Sequence, residues 1–250
     1  ADERHQRAAY VCFNRPLADH IARLVPVRVQ AETFHELCAR VCRGQRQVVD
    51  FVRPDVFDTI TRFALEHLAA APAHLDLIVI DEVQDLQPAW VEGLLGRLRP
   101  DGTAVLLEDP EQQLYGDREP FELPDAVTVT CPENFRSPRA LVRMVNMLGL
   151  TAQPVVARGP VEGTVPDPLV YGKPEGHGGA EEAEDLLAKT RTAVERLMAQ
   201  GFAPQDIAVL TLRGRERSVL LAQERIGDLR LRRFTGRYDD GGGAIWTDGD

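Results

Sequence analysis

Lysine is almost missing from this chain: Lys173 and Lys189 are the only two, and Arg carries nearly all the positive charge. With Ala and Gly frequent, that bias fits a GC-rich genome and carries no information on function. Long apolar runs are missing too, and none approaches the roughly 20 residues that span a bilayer. The first ten residues, ADERHQRAAY, contain no apolar signal core, so neither a membrane helix nor a secretory signal is expected. The four cysteines, Cys12, Cys38, Cys42 and Cys131, form no CxxC pair. A zinc site needs more ligands at closer spacing. Cys38 and Cys42 are four apart, which suits packing neighbours on one helix, so reduced structural thiols in a cytoplasmic protein are expected. A basic excess is absent as well: the net charge of −10 over 250 residues argues against a broad cationic surface for duplex DNA. The charge is uneven, however. Residues 1–62 hold ten Arg and eight Asp or Glu, which leaves −12 for the remainder and permits a nucleic-acid groove in the first quarter. There is no initiator Met, and no GxxxxGK[ST] phosphate loop. Lys173 follows Gly172, but Pro174 comes next and Asp167 stands at the first-glycine position.

What is present is the composition of a soluble globular protein, long enough for one large domain or two ordinary ones. Short apolar runs alternate with amphipathic stretches, the pattern of an α/β fold. Residues 8–13 (AAYVCF) read as a buried strand, 15–24 as a helix and 25–30 as a second strand. Thr33 with Glu36 forms a capping box before HELCARVC. Helices are predicted over 54–70, 88–98, 137–148, 180–200 and 215–226, and Gly201 closes the fourth of these. Strands are predicted over 75–81, 103–109, 126–130, 206–212 and 229–234; 151–180 reads as loop or edge, and the tail lacks a closing element. No internal repeat is found.

The strongest chemical signal is LIVIDEVQD, residues 77–85. An apolar strand delivers Asp81 and Glu82 to its carboxyl end, and the neighbouring run TAVLLED also ends in acids. Two such strands point to a site at the carboxyl edge of a parallel sheet. Phosphoryl transfer from ATP needs one carboxylate to hold Mg²⁺ and a second group to orient the attacking water, and adjacent acids can do both. The same residues could instead make an acidic strand-to-helix turn in which Asp81 only caps a helix.

DEVQD (81–85) resembles the DExQD box of superfamily-1 DNA helicases of the UvrD/Rep type. Further segments match that family in the same order. YVCFNRPLA (10–18) and TFHEL (33–37) are similar to its single-stranded-DNA segments, and EDPEQQLYG (108–116) to its GDxxQSIY segment. ENFRSP (133–138) is similar to NYRS, and PQDIAVLTLRGRERS (204–218) to a strand and helix of the second motor domain. The resemblance implies RecA-like parallel sheets flanked by helices, of the P-loop NTPase class, in two lobes. The first lobe would cover 1–119, with a reduced accessory insertion near 38–72, and part of the second would cover 120–250. ATP and Mg²⁺ would be the ligands, and single-stranded DNA, or DNA with a single-stranded tail, the partner.

Carried over position by position, Asp81 would serve Mg²⁺ and Glu82 would activate the attacking water, with Gln112 on the γ-phosphate. Arg136 would act as an arginine finger and Phe135 would stack on adenine, although the family usually has Tyr there. Phe13, Asn14, Arg15, Thr33, Phe34, His35 and Tyr115 would face DNA, through polar contacts to the backbone and stacking on the bases. Seen alone, Arg136 is a surface arginine after an Asn turn, and Phe13 and Phe34 are core residues.

Departures from the family set the alternatives. Glu108 replaces a Gly, and Asp117 stands where an aromatic is expected. In the family the phosphate loop lies shortly before the YVCFN segment, so truncation at both ends, and an inactive fragment, are expected. The alternatives are a DNA- or partner-binding module without a phosphate loop, a DNA-stimulated ATPase switch that separates no strands, and an unrelated α/β fold. Family polarity would be 3′ to 5′, in repair or recombination.

Overall fold

A computed structural model describes residues 6–112, 121–172, 179–214, 217–239 and 243–249. The chain divides into two compact units, Ala1–Gly163 and Thr164–Asp250. This division lies further along than the 119/120 boundary expected from the motifs. Residues 131–163 belong to the first unit, where the Ala152 N–H donates to Glu111 Oε1 at 2.9 Å.

The first unit is an α/β layer structure. Its strands β1 (Ala8–Cys12), β2 (Gln30–Thr33), β3 (Leu75–Ile80) and β4 (Leu98–Leu106) form one sheet in the order β2-β1-β3-β4, with every pairing parallel. Helix α1 (Arg15–Leu24) links β1 to β2. Helices α2 (Phe34–Gly44) and α3 (Val56–Ala70) link β2 to β3, and α4 (Pro88–Leu95) links β3 to β4. The chain thus leaves β1 in one direction and returns past it in the other. With crossovers of a single hand, α1 must cover one face and the later helices the other. The packing agrees. Tyr10, Cys12 and Val79 meet Leu17, Ala18 and Ile21 of α1, whereas Ala9, Val11, Ile78 and Ile80 meet α2, α3 and α4. Residues 38–72, read as a reduced accessory insertion, belong to this covering layer, with Cys38, Cys42, Ile60, Ala64 and Leu68 all buried.

The strand expected over 25–30 begins only at Gln30. Pro26 has no N–H for a ladder, and its carbonyl instead accepts the Val29 N–H at 2.8 Å in a turn. Strand β4 starts five residues before the expected Thr103, at Leu98, and its register against β3 slips between Leu75 and Leu77. Gly102 permits this irregularity, because a Cβ there would lie 3.1 Å from the carbonyl oxygens of Arg99 and Leu75.

Thr33 ends β2 and caps α2. Its Oγ1 accepts the Glu36 N–H at 3.2 Å, and Glu36 Oε2 accepts the Thr33 N–H at 2.9 Å. Thr33→Ala removes half of this box and is expected to lower stability by about 1 kcal/mol, read from thermal or urea melts.

After β4 the first unit holds β5 (Glu133–Asn134), α5 (Arg139–Met147) and β6 (Val156–Ala157), with β5 and β6 parallel. The strand expected over 126–130 does not form: Val127 is 92% and Val129 84% exposed. Alternating β-branched residues need a ladder partner, and none pairs with them among the described residues.

The second unit holds α6 (Ala180–Ala199), β7 (Arg225–Ile226), β8 (Leu229–Arg230), β9 (Phe234–Tyr238) and β10 (Ala244–Trp246). Gly201, at φ +97°, follows the end of α6 as expected. β7 with β8, and β9 with β10, form antiparallel ribbons, so the tail does carry a closing strand, and the strand read over 229–234 breaks into β8 and the start of β9. The strand expected over 206–212 has no ladder among the described residues, and Leu210 and Leu212 are exposed. The helix expected over 215–226 is replaced by turns over its described residues and by β7. Ser218 Oγ accepts the Leu221 N–H at 3.3 Å and donates to Thr211, and such side-chain bonds compete with a helical ladder. Among the described residues no helix is long and apolar enough to cross a membrane.

Candidate functional site

The strand order reverses direction at β1, which has β2 on one side and β3 on the other. Between two parallel strands whose connections run opposite ways, the loops diverge and leave a crevice at the carboxyl edge. Asp81 and Glu82 follow β3 at that point, and Phe13 and Asn14 follow β1.

Asp81 is fixed by three hydrogen bonds. Its N–H donates to the Val11 carbonyl at 2.9 Å and so continues the ladder. Its Oδ2 accepts the Tyr10 hydroxyl at 2.5 Å, and its Oδ1 accepts the Glu82 N–H at 2.9 Å. Tyr10 is buried against α1, and burial first, then the hydrogen bond and charge of Asp81, hold its phenol far above the ordinary range and therefore protonated. Sequence reasoning took Tyr10 for a plain strand residue. The available signal was the hydroxyl itself, since a buried Tyr needs a partner for its O–H.

Glu82 has φ 55° and ψ 47°, the left-handed region, which costs a non-glycine residue about 1–3 kcal/mol. The chain then enters a short 3₁₀ turn, Val83–Asp85. The Val83 N–H donates to Leu107 O at 3.1 Å and the Leu107 N–H to Ile80 O at 2.9 Å, stitching the ends of β3 and β4 together. Gln84 Nε2 donates to Glu82 Oε2 at 2.5 Å, and Gln84 Oε1 accepts the Asp109 N–H at 3.1 Å. Asp109 Oδ2 in turn accepts Gln112 Nε2 at 2.5 Å. Asp81, Glu82 and Gln112, all singled out from the sequence, therefore belong to one hydrogen-bonded cluster at the sheet's carboxyl edge.

Among the described residues each Asp81 side-chain oxygen accepts one hydrogen bond, which leaves it a further acceptor position. Together with Glu82 this is a hard oxygen donor set of the kind Mg²⁺ uses when phosphates and waters complete its shell. Among the described residues no group of three or more His, Cys, Asp or Glu gathers as a complete protein cage.

The residues expected at DNA lie apart from this cluster in chemistry. Phe34 is fully buried and stacks on Trp90 at 4.5 Å with an interplanar angle of 7°, so neither ring face is free for a base. That corrects its reading as a stacking platform. Apolar packing wins because Phe34 opens α2 on the face turned to the sheet. His35 is half-buried and edge-on to Phe13, Phe57 and Trp90 at 5.8, 5.0 and 5.3 Å. Thr33 is buried and its hydroxyl is committed to the cap. Asn14 caps α1 by accepting the Leu17 N–H at 3.2 Å. Arg15 pairs with Glu36 at 2.6 Å and Asp19 at 3.1 Å, and it remains exposed, as does Asn14. Tyr115 and Asp117 lie outside the described residues.

Phe135 and Arg136 follow β5. Asn134 Oδ1 accepts the N–H groups of Arg136 at 3.0 Å and Ser137 at 2.7 Å, an Asx turn that leaves both side chains exposed. Among the described residues the Arg136 guanidinium makes no hydrogen bond or ion pair.

All four thiols are free, with Cys12, Cys38 and Cys42 buried and Cys131 exposed, so the reading of four structural thiols holds for three. Burial pushes the Cys12 thiol up to about 11 and Cys38 to about 12. At pH 8 a thiol reagent is therefore expected to titrate Cys131 fast in the folded protein, and the other three only after denaturation.

No protein-family model matches the chain, and no curated protein matches it.

Proposed function

We propose that these residues belong to an ATP-dependent motor on single-stranded DNA, of the superfamily-1 UvrD/Rep type, on RecA-like P-loop NTPase lobes. The observation that carries the proposal is the carboxylate pair Asp81–Glu82 at the switch point of a parallel sheet, with Asp81 anchored by Tyr10. The motif order along the chain supports it.

In this reading Asp81 holds Mg²⁺ directly or through water, in the orientation Tyr10 and the Glu82 N–H impose. Bound Mg²⁺ supplies charge neutralisation on the phosphate oxygens. Glu82 accepts a proton from the attacking water. Gln112 leaves Asp109 to donate to the γ-phosphate. Phe135 and Arg136, exposed on their turn, are free to meet adenine and the transferring phosphoryl group. Asn14, Arg15 and the half-buried Phe13 and His35 form the DNA-facing edge, with translocation 3′ to 5′. The 250 residues contain no GxxxxGK[ST], so hydrolysis by this route requires a phosphate loop contributed from outside them.

A second reading, DNA-stimulated hydrolysis without strand separation, is favoured by one observation. Residues 38–72 fold into the sheet's own core instead of a separate accessory domain that could engage duplex.

The test is ATP hydrolysis by the complete gene product with and without a single-stranded oligonucleotide, followed by displacement of a labelled strand from tailed duplex. DNA-stimulated hydrolysis is expected. Displacement selects the helicase and its absence the switch. DNA binding by a protein that hydrolyses no ATP selects the binding module and sinks the motor. The 250 residues alone are expected to turn over no ATP.

A further inference from the structure

We infer that Gln84 is the positioning residue of this site: it holds the Glu82 carboxylate and keys it to the segment that follows β4. The inference rests on the ATPase reading above and names a residue to which that reading gives no task.

Glu82 is hard to hold. Its backbone is left-handed, so neither a strand nor a helix directs its side chain, and its carboxylate is only half-buried. An unrestrained Glu samples several rotamers, and a base that wanders loses the alignment on which proton abstraction depends. Gln84, two residues on, reaches back with Nε2 to Glu82 Oε2 at 2.5 Å. Its Oε1 is anchored by the Asp109 backbone N–H at 3.1 Å. That anchor lies three residues past β4, on a segment that Leu107 ties to the end of β3 through its bonds with Ile80 and Val83, so the position of Glu82 is referred to the neighbouring connection and not only to its own turn.

A carboxamide fits both ends. The carboxylate requires a donor and the backbone N–H an acceptor, and Gln supplies one of each at the right length. The two partners also decide the orientation of the amide, because the reversed amide would set oxygen against carboxylate and N–H against N–H.

The bridge continues. Asp109 Oδ2 accepts Gln112 Nε2 at 2.5 Å, and Asp109 Oδ1 accepts the Glu111 N–H at 3.2 Å. One chain of hydrogen bonds, Gln112–Asp109–Gln84–Glu82, thus joins the residue assigned to the γ-phosphate with the residue assigned to the water. Removing such an outer partner commonly reduces activity about 10–100-fold.

The test uses the complete gene product and two variants. Gln84→Leu removes both contacts. The Asp109 amide is expected to exchange with deuterium about 10-fold faster or more without nucleotide. DNA-stimulated kcat is expected to fall about 10–100-fold, with KM for ATP changed by less than about threefold. Gln84→Glu has the same size and keeps the acceptor, but sets a like charge against Glu82. Asp109 is then expected to stay protected while kcat falls, which also answers the objection that Gln84→Leu merely misfolds. Unchanged Asp109 exchange in Gln84→Leu overturns the bridge. Full kcat in Gln84→Glu, or a change confined to KM, overturns the positioning role. Absence of hydrolysis in the unsubstituted protein sinks the motor reading and this role together, and is told apart because it precedes any substitution.

Discussion

Glu82→Gln is expected to lower DNA-stimulated ATP hydrolysis by about 10²–10⁴-fold, the range a positioned general base supplies. The substitution conserves size. A carbonyl oxygen at position 82 can still accept from Gln84, and the left-handed backbone there is common to both residues, so the fold is expected to survive. What is lost is the ability to take a proton. Nucleotide affinity, read with a fluorescent ATP analogue, is expected to stay within about threefold, because the interaction removed is made mainly in the transition state. Steady-state phosphate release by the complete gene product measures the effect. Undiminished hydrolysis in this variant would leave the acid pair as a capped turn and no more.

Phe34→Ala is expected to destabilise the first unit by about 3–5 kcal/mol, typical of deleting a buried aromatic. Phe34 has no exposed surface and lies flat on Trp90, beside Leu37, Cys38 and Val91 in the same core. A domain is stable by only about 5–15 kcal/mol, so this is a large share. For a unit of this size each kcal/mol moves Tm by roughly 2–4 °C, which places the expected drop at about 10 °C. A base-stacking Phe would behave differently: its removal would weaken single-stranded DNA binding by about 1–3 kcal/mol per base and leave Tm nearly unchanged. Thermal melts and DNA titrations on one variant therefore separate the two roles.

The parallel strands were legible where an apolar run carried its own signal. LIVI (77–80) lies in a central strand with Ile78 and Ile80 fully buried on one face and Leu77 and Val79 half-buried on the other, so an apolar run is what the position demands. Thr33 and Glu36 were legible because a capping box is a contact between residues three apart. The segments 126–130 and 206–212 have equally good strand composition and form no ladder among the described residues. Propensity specifies a willingness to extend, and a partner strand is a separate fact that lies elsewhere in the chain. In the site, Asp81 and Glu82 were legible because they end an apolar run, and Gln112 only through the resemblance of residues 108–116 to the helicase segment. Tyr10 was not, because its hydroxyl meets a carboxylate 71 residues away.

From its sequence alone the chain determined that acids follow two apolar runs, and that α2 carries a capping box, since these depend on residues a few positions apart. The tertiary structure alone decided that β1 lies between β2 and β3, which makes their shared edge a crevice. It also decided that Phe34 is core, and that Gln84 spans from the turn after β3 to the segment after β4. Those outcomes depend on which strands become neighbours, and no local pattern specifies that.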